Sequence, residues 1–407
     1  MMLKLTMMLV FTLFGNACTG AQVLPVKTGI DVLQASRFKQ LQGKNIGLIT
    51  NQTGVNAELN STIDIFYQTD VLQLKALFAP EHGIRGNIFA GKKIKSSTDS
   101  KTGLPVYSLY GRTKKPTPDM LRGIDALVYD IQDTGARTYT FIYTMALAME
   151  AAAENKIQFF VLDRPNPVGA DRVEGPVLDP AFASFIGKYP IPYLYGMTAG
   201  ELAKYINTEF KIGARLSVIP MRGYRRKMIY ADTGLEWIGT SAHIPHATTA
   251  FYYPATGIMG ELQQVSEGVG YTLPFEVVCQ SWIDRQQLAD ELNGRKLSGV
   301  RFRPCSIKPY YFTFKGVELH GVQLHITDFR AFKPVETQIH ILDALLKLYP
   351  DAGLFKTQRI ASFDRAMGTD EVRKMLLNRE DVKNIFASWK AGLKAYAKTR
   401  LKYLIYD

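Results

Sequence analysis

Four times before residue 165 the chain runs through six or seven nearly all-apolar residues and then stops abruptly in polar, glycine-containing sequence: at 45–50, 72–78, 124–130 and 157–163. Runs this short, nearly continuous in apolar residues and mostly rich in β-branched side chains, predict strands covered on both faces. Helical spacing of apolar residues fills the intervals, notably over 137–153. Alternation of this kind predicts a parallel sheet. A capping box, Thr198-Ala-Gly-Glu201, marks the next helix, ahead of Leu202, Tyr205 and Ile206 on one face. From about residue 214 the texture changes to short strand-like runs with many Tyr, Pro and Gly, and helices return over 335–348 and 381–404. The predicted architecture is α/β: a doubly wound parallel-sheet domain over 25–210 and a smaller α+β domain over 211–407. With 407 residues, 46% of them hydrophobic, the chain can bury a core of that size.

Ahead of these domains, Lys4 precedes an apolar stretch from Leu5 to Phe14, followed by the small residues Gly15, Ala17, Gly20 and Ala21. Residues 1–21 read as a secretory signal, too short to span a bilayer. Two processing routes are open, cleavage after Ala21 or lipidation of Cys18, with simple export favoured. The expected location is the periplasm. Only Cys279 and Cys305 then remain, so stability must come from the core, whether those two are bridged or free. The net charge of +12 is compatible with an anionic partner such as nucleic acid, a membrane surface or the cell wall. Nucleic acid is not expected, because no basic run is interleaved with aromatics in a recognised pattern.

In an open parallel sheet, chemistry collects past the carboxyl ends of the strands, where connecting loops diverge. Those ends carry Asn51-Gln-Thr-Gly54, Pro80-Glu-His-Gly83, Asp130-Ile-Gln-Asp133 with Arg137, and Asp163-Arg-Pro-Asn166. Glu81, between a rigid proline and Gly83, is the candidate general acid or base, since a carboxyl group withdrawn from water keeps its proton toward neutrality and can protonate a glycosidic oxygen. A salt bridge to Arg85 or Arg137 is the structural alternative. His82 could orient Glu81 or share its proton. A second carboxylate would come from Asp130, Asp133, Glu174 or Glu267. Arg85, Arg137 and Arg164 could each grip a substrate carboxylate or simply pack. Asn51 joins them as a candidate substrate contact, and Tyr139, with Tyr110 and Trp282, could stack on a sugar face or belong to the core. His243-Ile-Pro-His246 and the pair His320 and His325 do not match a zinc spacing, no glycine-rich nucleotide fingerprint follows the first strand, and no nucleophile elbow is present. No metal and no cofactor are therefore expected.

The ordered set Ile49-Thr-Asn-Gln-Thr-Gly-Val55, Phe78-Ala-Pro-Glu-His-Gly-Ile-Arg-Gly86, Leu104-Pro-Val-Tyr-Ser-Leu-Tyr-Gly111, Asp130-Ile-Gln-Asp-Thr-Gly-Ala-Arg137, Leu162-Asp-Arg-Pro-Asn-Pro167 and Val173-Glu-Gly-Pro176 resembles the NamZ-type exo-β-N-acetylmuramidases. The likeness runs from about residue 28 to the end. It implies a Rossmann-like domain joined to a smaller C-terminal domain, and a cleft between them where N-acetylmuramic acid leaves the non-reducing end of peptidoglycan fragments. The family's proposed catalytic glutamate falls on Glu81. Departures lie at Gly260–Gly270, which keeps Ser266-Glu-Gly268 but has Val269 where arginine is usual, at Leu194-Tyr195 in place of Arg-His, and at Ser241–His246. The expected function is exo-acting glycoside hydrolysis on peptidoglycan saccharides. The rival reading is a non-catalytic muropeptide-binding protein with the same cleft.

Overall fold

The computed structural model describes residues 25–84 and 97–407. Arg85, Cys18 and the leader lie outside the described residues. The first nine strands are β1 (Asn45–Thr50), β2 (Gln73–Ala79), β3 (Ser97–Thr98), β4 (Pro105–Ser108), β5 (Ala126–Asp130), β6 (Gln158–Leu162), β7 (Glu174–Val177), β8 (Pro192–Leu194) and β9 (Arg215–Ile219). Seven of them form one sheet in the order β3-β4-β2-β1-β5-β6-β9, parallel throughout except for β3. Numbered among the parallel strands alone, that order is 3-2-1-4-5-6, the doubly wound Rossmann arrangement. The first four apolar runs supply β1, β2, β5 and β6. The sheet continues past residue 210, because β9 pairs along its whole length with β6.

Both faces are covered, as near-continuous hydrophobicity requires. Ile46 and Leu48 of β1 pack with Ile30 and Leu33 of α1 (Gly29–Ala35) and with Ile63 and Phe66 of α2 (Thr62–Gln68). Ile49 points the other way, into a cluster with Leu127, Tyr129 and Phe159 and with α3 (Phe141–Glu154) and α4 (Ala199–Glu209). Gly47 has no room for a side chain: a Cβ there would stand 2.8 Å from Leu127 and from Phe78. Helix α3 starts at Phe141, four residues later than its apolar spacing predicts. Residues 136–137 instead join a short bridge, with Arg137 N–H donating to Tyr193 O at 2.7 Å. The capping box at α4 forms reciprocally, Thr198 N–H to Glu201 Oε2 at 3.0 Å and Glu201 N–H to Thr198 Oγ1 at 3.3 Å.

The second unit holds α5 (Thr249–Leu262), β10 (Val277–Gln280), α6 (Arg285–Gly294), β11 (Val300–Ile307), β12 (Leu319–Ile326), α7 (Pro334–Leu348), α8 (Ile360–Met367), α9 (Glu371–Leu377) and α10 (Val382–Arg400). Its sheet is antiparallel, in the order β10-β12-β11. The chain then returns to the first unit. Helix α10 packs on β7, and the Tyr406 hydroxyl donates to Asp163 Oδ2, just past β6, at 2.7 Å. Among the described residues no helix is long and apolar enough to cross a membrane.

Candidate active site

Strand β2 ends in a tight turn. His82 and Gly83 both take left-handed backbone angles, φ 71° and 76°, and Gly83 N–H closes onto Pro80 O at 3.1 Å. A non-glycine residue held there stores strain of a kind that clusters at functional sites. The turn aims the Glu81 carboxylate at the start of α3, where Thr140 Oγ1 donates to Glu81 Oε2 at 2.7 Å. Thr140 is the residue before the first helical turn, so the positive end of the α3 dipole lies beside this carboxylate. Glu81 keeps only 9% of its surface exposed. The His82 ring stands edge-on to Phe141, 6.4 Å between centroids.

The loop after β5 brings a second carboxylate. Asp133 Oδ2 accepts from the Tyr195 hydroxyl and from Gly135 N–H at 2.7 Å, whereas its buried Oδ1 has no hydrogen-bond partner among the described residues. Burial pushes this carboxyl up to about 6, against the pull of those donors. Tyr139 reports on both acids. Its phenol is pushed up chiefly by burial, and the charges of Asp133 and Glu81 act on it in the same direction.

The loop before α5, and α5 itself, meet these strand ends. The Tyr139 and Thr240 hydroxyls share a hydrogen bond of 2.8 Å, those of Thr138 and Tyr253 one of 2.9 Å, and Gln52 Nε2 donates to Gly239 O at 2.7 Å. His243 Nε2 lies 2.9 Å from the Tyr311 hydroxyl. Burial, then the nearby His82, hold His243 below the usual imidazole range. Glu81, His82, Asp133 and Tyr139 therefore gather where the two units meet.

Other residues singled out from the sequence lie elsewhere. Asp130 and Arg164 are each other's partners: Arg164 Nε reaches Asp130 Oδ1 at 2.6 Å and Nη2 reaches Oδ2 at 3.0 Å, with Thr62 Oγ1 also on Oδ2 at 2.5 Å. Arg137 has no exposed surface. Its Nη2 donates to Ala366 O at 3.1 Å and Met367 O at 2.8 Å, capping the carboxyl end of α8, while its buried Nε and Nη1 have no partner among the described residues. Glu174 accepts from Val335 N–H at 3.1 Å at the start of α7, and burial pushes it up to about 7. Glu267 packs against α5, where a Cβ on Gly260 would stand 2.9 Å from its Oε1, and burial pushes it too up to about 7. Asn51 Oδ1 accepts from Thr53 N–H at 2.9 Å and Thr53 Oγ1 at 2.5 Å, while its buried Nδ2 has no partner among the described residues.

Reasoning from residue types missed Thr140, Thr240, His243, Tyr253 and Tyr311. Only Thr140 carries a local signal, a polar residue just before a helical apolar pattern. Among the described residues no three His, Cys, Asp or Glu side chains gather closely enough to hold a metal ion.

Comparison with known proteins bears on the whole chain. The family model described as exo-β-N-acetylmuramidase NamZ, N-terminal, matches residues 46–248, and its C-terminal counterpart matches residues 251–406. The chain is 49% identical over 381 residues to the peptidoglycan β-N-acetylmuramidase NamZ of Bacillus subtilis strain 168, covering 94% of this chain and 91% of that protein. A DUF1343 family protein of Bacteroides fragilis NCTC 9343, solved by crystallography, superposes with a TM-score of 0.89 at 47% identity, over 94% of this chain and 99% of that one. A second from the same organism gives 0.76 at 29% identity over the same shares. Sequence and backbone agree from the first strand to the last turn: the chain belongs to the NamZ family of exo-β-N-acetylmuramidases.

Proposed function

We propose that this chain is an exo-acting glycoside hydrolase that releases N-acetylmuramic acid from the non-reducing end of peptidoglycan fragments, with Glu81 as its general acid and base. The observation that carries the reading is the placement of Glu81 just past β2, nearly enclosed and anchored by Thr140, with a second buried carboxylate, Asp133, in the loop past β5. The name carried by the Bacillus subtilis relative supports the substrate class.

Cleaving a glycosidic bond needs a proton on the departing oxygen and negative charge near the sugar's anomeric carbon as positive charge develops there. Glu81 supplies the first. Asp133, with one carboxylate oxygen unbonded among the described residues, supplies the second. The lactyl carboxylate of a muramic sugar needs donors. Arg137 and Arg164 are engaged elsewhere, so on the described walls the imidazoles of His82 and His243 and the Tyr311 hydroxyl take that part. The apolar leader sequence supports a periplasmic site for the reaction.

A chromogenic N-acetylmuramide and the matching glucosaminide test the reading. Wild type is expected to release the muramide chromophore, and Glu81→Gln to lose ~10²-fold or more in turnover while melting as wild type does. If wild type released neither chromophore between about pH 5 and 8, yet still bound muropeptides, the chain would be a binding protein with the same cleft.

A further inference from the structure

We propose that the outer face of α10, together with the adjoining basic corner, docks this protein on an anionic phospholipid bilayer. Residues 382–406 contain no Asp or Glu. Lys390, Lys394 and Lys398 recur every fourth residue, with Lys383 on the same side, and all four are exposed. None of these ammonium groups has a carboxylate partner among the described residues. The opposite side of the helix is buried through Ile385, Trp389 and Tyr396, the last fixed by its hydroxyl on Tyr195 O at 2.7 Å. The lysine row therefore faces directly away from the body. Leu401, 64% exposed, stands at the end of that row, where an apolar side chain suits the boundary between headgroups and acyl chains.

The row leads to a second set of cations. Arg400 Nη1, at the end of α10, and Arg226 Nη1 both donate to Ala170 O, at 3.2 and 3.1 Å. On either side of the buried Arg226, Arg225 and Lys227 are exposed, as is Arg222. Arg225 and Lys227 border a hollow of about 930 Å³, lined also by Asp171 and Asp407, at which Arg330 is paired with Asp232. Arg222 and Lys27 exchange backbone hydrogen bonds of 2.9 Å, so the described chain begins at this same corner. Six residues lie between Cys18 and Pro25, so the two are at most about 25 Å apart along an extended chain. An acyl group on Cys18 would bring these cations to the bilayer surface, where each adds to the attraction within a Debye length. Charge complementarity and the position of the chain's start both select a membrane. The inference does not depend on the glycosidase reading.

Sedimentation with vesicles tests it, using protein carrying Cys18→Ser so that no acyl chain contributes. Binding is expected to vesicles containing about one third phosphatidylglycerol, not to pure phosphatidylcholine, and to fall steeply as salt rises from roughly 0.05 to 0.5 M. Joint replacement Lys390→Glu, Lys394→Glu and Lys398→Glu is expected to lower the partition coefficient about tenfold or more while muramide hydrolysis stays unchanged. The milder Lys→Gln set serves should the reversal impair folding. The proposal is overturned by absence of binding to anionic vesicles, by equal binding to neutral ones, by unaltered binding of both variant sets, or by capture on purified cell-wall sacculi that anionic vesicles do not compete.

Discussion

Arg164 holds Asp130 with two parallel hydrogen bonds of 2.6 and 3.0 Å, and neither side chain is more than 6% exposed. The pair bridges the ends of neighbouring strands β5 and β6, and Arg164 Nη2 also reaches Val55 O in the loop past β1, at 2.7 Å. It thus fixes three strand-end loops beneath the cleft. Removing one partner leaves a buried charge uncompensated, at a cost of about 3–5 kcal/mol. Asp130→Asn and Arg164→Met are each expected to lower the urea midpoint substantially. Their double variant should recover part of the loss. Equal stability of wild type and Asp130→Asn would remove the pair from the account.

The ends of four strands and the position of Glu81 were legible because each is encoded locally. Abrupt ends of apolar runs mark strand termini, and Pro80-Glu-His-Gly83 is contiguous. What each charged side chain meets was not. Arg164 and Asp130 are 34 residues apart and become partners only because β6 lies beside β5. Arg137 reaches α8 across 230 residues, so no local pattern could separate it from a substrate clamp. Thr240, His243 and Tyr311 stand in loops without periodicity, and the Thr240–Tyr139 and His243–Tyr311 contacts exist only in the folded chain.

Thr140 should matter to turnover more than to folding. Its hydroxyl is the donor that fixes Glu81 Oε2, and Thr140→Val keeps the side chain's shape. Without that donor the carboxyl group is no longer held in one orientation, so kcat on the muramide is expected to fall by about tenfold or more, with the fold retained. Thr140→Ser should restore most of the rate. A rate for Thr140→Val equal to wild type would show that the contact has no part in the reaction.

Stability should rise as pH is lowered from 8 toward 5. Burial holds the Asp133 carboxyl up to about 6, and those of Glu174 and Glu267 up to about 7. Each is raised above its unfolded value, so folding takes up protons, and the stabilisation present below the unfolded values near 4 is lost as pH climbs through 6 to 7. The effect is of order 1–3 kcal/mol per group. Thermal melts across this range check it, and Glu267→Gln, neutral at every pH, should melt higher than wild type at pH 8 and show a flatter profile. A wild-type melting temperature that fell between pH 8 and 5 would contradict the sign.

Cys279 and Cys305 should remain thiols. They lie on β10 and β11, on either side of β12, and both are in register with Gly321, over which their sulfurs approach to 3.7 Å. Two strand spacings separate the backbones by ~9–10 Å, beyond the reach of a disulfide without main-chain movement. Thiol titration of the Cys18→Ser protein, with no reductant, should find neither in the folded state and both after unfolding. Gly321→Ala should fold poorly, because the added Cβ would stand 2.0 Å from Val278 O.

Tyr195 is expected to set the pH at which Asp133 acts. Its hydroxyl is one of two donors on Asp133 Oδ2, and it favours the ionised carboxylate against the burial that drives the group up to about 6. In Tyr195→Phe, Gly135 N–H remains but that stabilisation of the charge is lost, so protonation should extend to higher pH. If the reaction uses Asp133 ionised, the acidic limb of kcat/KM moves upward, and the deficit is larger at pH 6 than at pH 8. A purely structural role for Tyr195 would lower the rate equally at both pH values. A limb that stayed in place would leave Asp133 outside the chemistry, with Tyr195 serving only to seat the loop after β5.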